Sequence, residues 1–433
     1  MSIQTMTTAK SFVDLYAAEK ARLPGADLPW LAALREQAAA RLLELGLPTA
    51  RMEQWRYTPA LANRIGTVSF TEGGLEAIGG HTGLELGDST RISTRIAWQD
   101  GRIAGPAAAL PALPFLKIRS LETLLAEDPD LAHPALAADA ESESAMALLN
   151  LALLRDALFV ELGETEARPL LWSRQEASGG LANTRLQMTL QTGAAATLVE
   201  EIDSRAGLSN RRTTIALADG TSLRHVILLG EGQDATDLGE MQLRLGRDAR
   251  YSVFLRYGGS GLARQAIDID LTAPGAEAQI NGLYLLGGRA HGDLTSHIRH
   301  QAPGTSSTTL FKGVLDDRAR QVFRGKITVE AGAARSDGRM SNKTLLLSDK
   351  AEIDSKPELM IFHDEVQCAH GATSGKLDEQ ALFYLRSRGL PLEEARKLLI
   401  RSFLSEAAEG AEALRDLPVG DLLIDKQLQR LGQ

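Results

Sequence analysis

Cysteine is almost absent from this chain: Cys368 is the only one in 433 residues. A single thiol excludes an intrachain disulfide and any metal centre built solely from the chain's own thiolates, and it fits a reducing compartment. Aromatic residues supply only 5% of the chain. No apolar run of about 18 residues occurs, and the first stretch, MSIQTMTTAKSFVDLYAAEK, has no continuous apolar segment of the signal-peptide kind. The expected location is the cytoplasm, with no membrane contact. Positive charge is in deficit: 47 Lys and Arg against 56 Asp and Glu give a net charge of −9. That balance disfavours general binding to nucleic acid or anionic lipid. Catalytic signatures are missing too, with no GxSxG elbow, HExxH or paired-carboxylate motif. GATSGK (371–376) has the wrong spacing for a phosphate loop, and Leu377 stands where a magnesium-binding hydroxyl belongs. YGGSGLA (257–263) lacks the dinucleotide fingerprint and reads as a turn.

What is present is a change of periodicity along the chain. Residues 28–46 carry Leu31, Leu34, Ala38, Leu42 and Leu45 at helical spacing, and Gly46 ends the run. Residues 62–115 read as short irregular strands. Between 119 and 160, SLETLLAEDP predicts a short capped helix and SAMALLNLALLRDAL a longer one. From about residue 168 the pattern alternates, as in LQMTLQ, MQLRLG and IDIDLT, which is strand periodicity. It also repeats. Gly193, Gly220, Asp248, Gly275, Gly304, Gly332 and Lys350 each open the same unit, a turn, a small residue and an alternating strand. By subtraction their spacings are 27, 28, 27, 29, 28 and 18. A unit of that length holds two short strands and must stack on its neighbours to bury an apolar face. The expected fold is mostly β, a β-helix core over residues 166–376. It lies between an N-terminal helical and mixed region (1–165) and a C-terminal helical domain (377–433). An antiparallel β-sandwich is the other arrangement the periodicity allows.

After Gly375 the period becomes helical. LDEQALFYLRSRG and LPLEEARKLLIRSFLSEAAEG predict two helices, the second with an apolar stripe of Leu392, Ala395, Leu398, Leu399 and Phe403. Composition favours these helices as a cap on the open end of the stack over a docking site for another protein. Just before them, Cys368 and His370 stand two apart. On a strand both side chains point to one face and Ala369 to the other, so a thiol and an imidazole could share a soft metal or a reactive sulfur. The plainer reading is a small buried thiol beside a hydrogen-bonded histidine. HGDLTSHIRH places His291, His297 and His300 close in sequence, but on a strand His297 and His300 point to opposite faces, so only one of them could join a site with His291. Solvent-facing or turn histidines are expected there.

Several of these stretches resemble one known family. NKTLLLSDKAEIDSKPEL followed by DEVQCAHGATSGKLDEQALFYLRSRGL is similar to the C-terminal signature of the SufB/SufD family of iron–sulfur cluster assembly proteins. HQAPGTSSTTLFKGVLDDRARQVFRGKI (300–327) resembles its core, and GLPTARMEQWRYT (46–58) its shared N-terminal stretch. A single cysteine and this length resemble the SufD branch, with Ala369 and Ser374 standing where that branch commonly has Ser and Val. The resemblance implies a right-handed parallel β-helix and a non-enzymatic scaffold role. It implies a SufB-like partner through the β-helix and a SufC-like ATPase on the C-terminal helices, which displaces the capping reading, and it leaves open whether the isolated chain forms a homodimer. An iron–sulfur cluster would be held transiently at the shared interface, with His370 as the first candidate ligand on this chain and Cys368 as the second. A reduced flavin is a further cofactor the resemblance allows. Two other readings are carried forward: a carbohydrate-active β-helix enzyme, and a stand-alone metalloprotein using His291, His297 and Cys368.

Overall fold

A computed structural model of the chain describes residues 8–58, 69–70, 93–104, 113–417, 424, 425 and 428, apart from 177–178, 205, 231, 233 and 260. Most of the irregular strands expected over 62–115 lie outside the described residues, as does much of the segment after 417.

Strands alternate between two sheets, one of ten strands and one of nine, and together they form a β-solenoid of about eight turns. Each strand from Ala157 onward pairs in parallel with the strand two places further along the chain. The sandwich alternative is therefore excluded. Successive inward-facing residues of the larger sheet are Tyr251, Ala278, Ser307, Gly338 and Cys368, in direct register. The subtractions 278 − 251 = 27, 307 − 278 = 29, 338 − 307 = 31 and 368 − 338 = 30 give the coil lengths. Of the repeat markers, Gly193, Gly220, Asp248, Gly275 and Gly304 all adopt left-handed backbone, with φ between 53° and 77°. Arg335 (φ 57°), not Gly332, takes that conformation in the next turn. Lys350 belongs to the opposite row of turns. Arg320 pairs with Glu352, so Lys350 aligns with Arg318, and the short spacing of 18 came from crossing between rows.

The interior is a largely apolar column, interrupted by buried polar groups such as Glu200 with Arg174 and His225. Val253, Ile280, Phe311, Phe323 and Ile327 are each at most 1% exposed. Bulky rings fit because glycines on the adjacent strand make room for them. A Cβ on Gly282 would lie 2.2 Å from the Phe311 ring, and one on Gly313 would lie 1.7 Å from the ring of Tyr284. Overpacking of this kind costs about 1–3 kcal/mol or more. We therefore expect Gly313→Ala to lower the urea midpoint of unfolding, while alanine at the open turn glycine Gly332, which has no atom within 4 Å of its Cβ position, leaves it nearly unchanged.

Helices cover the outer faces of both sheets. Pro29–Leu45 and Ala145–Ala152 pack with Ala9–Glu19, Leu121–Glu127 and Pro129–Ala140 against Leu181, Leu208, Leu238 and Leu262 of the nine-stranded sheet. Gly46 (φ 74°) ends the first of these helices, and the Ser120 hydroxyl caps Leu121–Glu127 by accepting from the Thr123 amide. The helix expected through residue 158 stops at Ala152. Residues 157–162 instead form a strand, because Leu158, Val160 and Leu162 alternate into the solenoid and pair with 186–190.

On the other side, Leu392–Glu409 lies on the ten-stranded sheet, where Ile400 and Leu404 meet Phe254, Leu283 and Val314. The C-terminal helices thus lie along a face and do not cap the open end. Their buried stripe is Ala395, Ile400, Leu404 and Ala407, while Leu392 (38% exposed) and Leu398 (46%), expected inside, face outward. The short helix Glu379–Ser387 has no buried residue at all.

Candidate functional site

The last coil consists of strands Glu352–Ile361 and Gln367–Gly375, which are the outermost strands of the nine- and ten-stranded sheets. Both therefore present an unpaired backbone edge at the same end of the solenoid. Unprotected edges of nine or ten residues are templates for pairing with another chain. Their inner faces are also uncovered. Ile353, Leu359, Val366 and Cys368 pack only partly against the interior column. Ile361, on the inner face, is 43% exposed, and beside it Met360 on the outer face and Phe362 just past the strand are 41% and 57% exposed. The sequence signal for this patch is the run LMIF (359–362), which breaks the alternation of the preceding coils.

The strand expected at Cys368 and His370 is formed, and both side chains stand on its inner face. Cys368 is in register with Gly338, and its sulfur lies 3.5 Å from where a Gly338 side chain would begin. His370 is in register with the buried Met340 but is itself exposed, since no further coil covers it. Burial pushes the Cys368 thiol above its ordinary value. The Gly338 backbone works against that, and Asp337 on the adjacent strand adds to it. The acids near in sequence, Asp364 and Glu365, are not the source. One imidazole and one thiol at an open edge offer two ligands of the kind iron accepts, about half a set for a cluster.

The other histidines do not join them. His300 is fully buried, with Nδ1 hydrogen-bonded to Thr305 and Nε2 to Ser307, and burial pushes its pKa down to about 4. His291 is 3% exposed. Both are buried, His300 inside the solenoid and His291 on its outer face beside Leu262, contrary to the solvent-facing or turn placement expected. His297, half-buried, bonds Thr328 through Nε2 at 2.9 Å and the Arg299 guanidinium through Nδ1 at 3.0 Å. It lies on the outer face of the nine-stranded sheet, away from Cys368 inside the ten-stranded one. Among the described residues no group of three or more His, Cys, Asp or Glu could hold a metal ion. The stand-alone site of His291, His297 and Cys368 is thus not assembled.

The stretch 46–58 lies across the same outer face. The Thr58 hydroxyl donates to Asp293, and Trp55 stacks on the Arg264 guanidinium at 4.4 Å. Glu53 pairs with Lys356 of the last coil at 2.7 Å. Beneath it is a cavity of about 770 Å³ whose lining includes Glu240, Asp268, Arg212 and Trp55. A carbohydrate site needs an aromatic face for the sugar. The indole here is 7% exposed and already covered by Arg264.

Fold and site together define a class: a β-solenoid with helical flanks whose last coil ends in two open edges carrying one thiol and one imidazole. The SUF system FeS cluster assembly SufBD core domain matches residues 173–403, and the SufBD protein N-terminal region matches residues 6–63. The iron–sulfur cluster assembly protein SufD of Escherichia coli is 31% identical over 412 residues, 92% of each chain. An iron–sulfur cluster assembly SufBD family protein of Synechocystis is 25% identical over 405 residues, 90% of this chain and 89% of the relative. The SufD of Bacillus subtilis is 35% identical over 127 residues, 29% of this chain and 28% of the relative. The chain belongs to the SufB/SufD family of iron–sulfur cluster assembly proteins. No described helix is long and apolar enough to cross a membrane.

Proposed function

We propose that this chain is the SufD-like scaffold subunit of a cytoplasmic cluster assembly complex, and that its open end is its half of the assembly site. The single observation carrying this is that the strand bearing Cys368 and His370 is at once an unpaired edge and the neighbour of the exposed Met360–Phe362 patch. Each shortage is met by a second solenoid edge. A SufB-like subunit would continue the sheets, cover the apolar patch and supply the remaining ligands, and two copies of this chain can pair through the same edge when that subunit is absent.

The cluster is cargo here, held in transit. Imidazole binds iron as the neutral base, so His370 is the stronger ligand on this side, with Cys368 second because its thiol must first lose a proton that burial retains. A SufC-like ATPase would dock on the C-terminal helices and supply the driving energy. The division into a mixed N-terminal region (1–165), a solenoid (166–376) and a helical C-terminal domain (377–433) belongs to the same proposal.

Co-expression with a SufB-like subunit tests it. The wild-type chain should co-purify with that subunit, while Ile361→Asp and Phe362→Asp, which place a charge in the patch, should weaken the pair by about 100-fold, as loss of an interface hot spot does. Undiminished affinity in both variants would place the interface elsewhere.

A further inference from the structure

The C-terminal helix holds the ten-stranded sheet mainly through apolar contacts, but near the open end the contact becomes ionic. Lys312 and Lys343 are register partners on adjacent strands, side by side on the outer face. One carboxylate serves both: Glu406 Oε2 pairs with Lys312 and Oε1 with Lys343, the latter at 3.2 Å. Lys312 is only 5% exposed at its side chain, and its ammonium also lies 4.4 Å from the ring centroid of Phe403, one turn earlier on the same helix. Lys343 is in turn the register partner of Thr373 on the terminal strand, three residues from His370. Helix, two lysines and site strand therefore form one continuous row.

Removing the partner of a buried ammonium is strongly destabilising, so Lys312 needs this carboxylate while the helix is seated. Its partners, Glu406 and Phe403, both belong to the helix, so a shift of the helix moves both together.

We propose that Glu406 is a positioning residue that couples the C-terminal helix to the cluster-site strand: a helix shift imposed by a docked ATPase reaches residues 367–375 through Lys312 and Lys343. This inference rests on the docking proposed above. It concerns transmission, not binding, so the two can fail separately.

The experiment uses the assembled three-protein complex and hydrogen–deuterium exchange of the 367–375 amides with and without ATP. In the wild type, ATP should raise exchange in this strand. Glu406→Gln should lose most of that rise while ATP hydrolysis and ATPase affinity stay near wild type, and Glu406→Asp, which keeps the charge, should retain it. Lys343→Gln, at a half-exposed position, should lose part of it and serves if Glu406→Gln does not assemble. A full ATP response in Glu406→Gln, or in Lys343→Gln where only that variant assembles, overturns the coupling role and leaves the docking proposal standing. A wild-type complex that binds ATP with no change in the strand overturns the ATP-driven part of the proposed function itself.

Discussion

His370→Ala should abolish most cluster formation in the assembled complex while leaving the chain folded and paired with its partners. The imidazole stands on the inner face of the terminal strand, exposed, with only Met340 of the previous coil beneath it. Truncating an exposed side chain removes no part of the interior column, so the stability cost is small. The functional cost is not. Loss of even an outer-shell partner of a metal ligand typically lowers affinity or activity by about 10–100-fold, and in the proposed site this substitution would remove a direct ligand. Cys368→Ala should be milder, because burial and Asp337 hold the thiol protonated more firmly than an ordinary cysteine. Anaerobic reconstitution followed by visible absorbance and acid-labile sulfide reads both. Wild-type cluster yield from the His370→Ala complex would remove the residue from the mechanism and return the pair to a thiol and a histidine without a shared task.

Loss of ATPase binding is the second large effect expected, from Phe383→Asp combined with Tyr384→Asp. Phe383 is 74% and Tyr384 57% exposed on a helix that buries nothing, and Leu392 and Leu398 are exposed on the helix that follows. Scattered exposed apolar residues are ordinary, but four on one helix pair, two of them aromatic, are the residues the proposed ATPase contact would use. The double variant should lower ATPase affinity by about 100-fold or more, in line with aromatic hot spots, with the β-rich circular dichroism unchanged. Deleting everything after Lys376 is a poorer test. It would strip the cover from Phe254, Leu283 and Val314 and mix a folding defect with a binding one. Titration calorimetry with the double variant separates them, and unchanged affinity would assign the ATPase contact to another surface.

Much of this was legible before any coordinates, and the reason is local. A two-sheet solenoid repeats one short unit, and the turn between strands needs left-handed backbone at a fixed place. Gly193, Gly220, Asp248, Gly275 and Gly304 therefore recur at 27 to 29 residues in the sequence itself. The alternation of Cys368, Ala369 and His370 likewise follows from strand geometry alone.

The tertiary structure decided what depends on partners distant in the chain. Which coil is last cannot be read from a repeat, because the final coil shares its plan with the others and differs only in having no neighbour. That absence alone exposes His370 while its counterpart Met340 is buried. The stripe on Leu392–Glu409 is ambiguous in sequence because leucines fall on both sides of the helix, and only packing on Phe254, Leu283 and Val314 chooses the buried side. Lys312 and Glu406 carry no local signal at all, being 406 − 312 = 94 residues apart until the helix folds back over the sheet. Periodicity specified the unit and its stacking. Burial, which is a property of what lies alongside, settled which residues are left exposed.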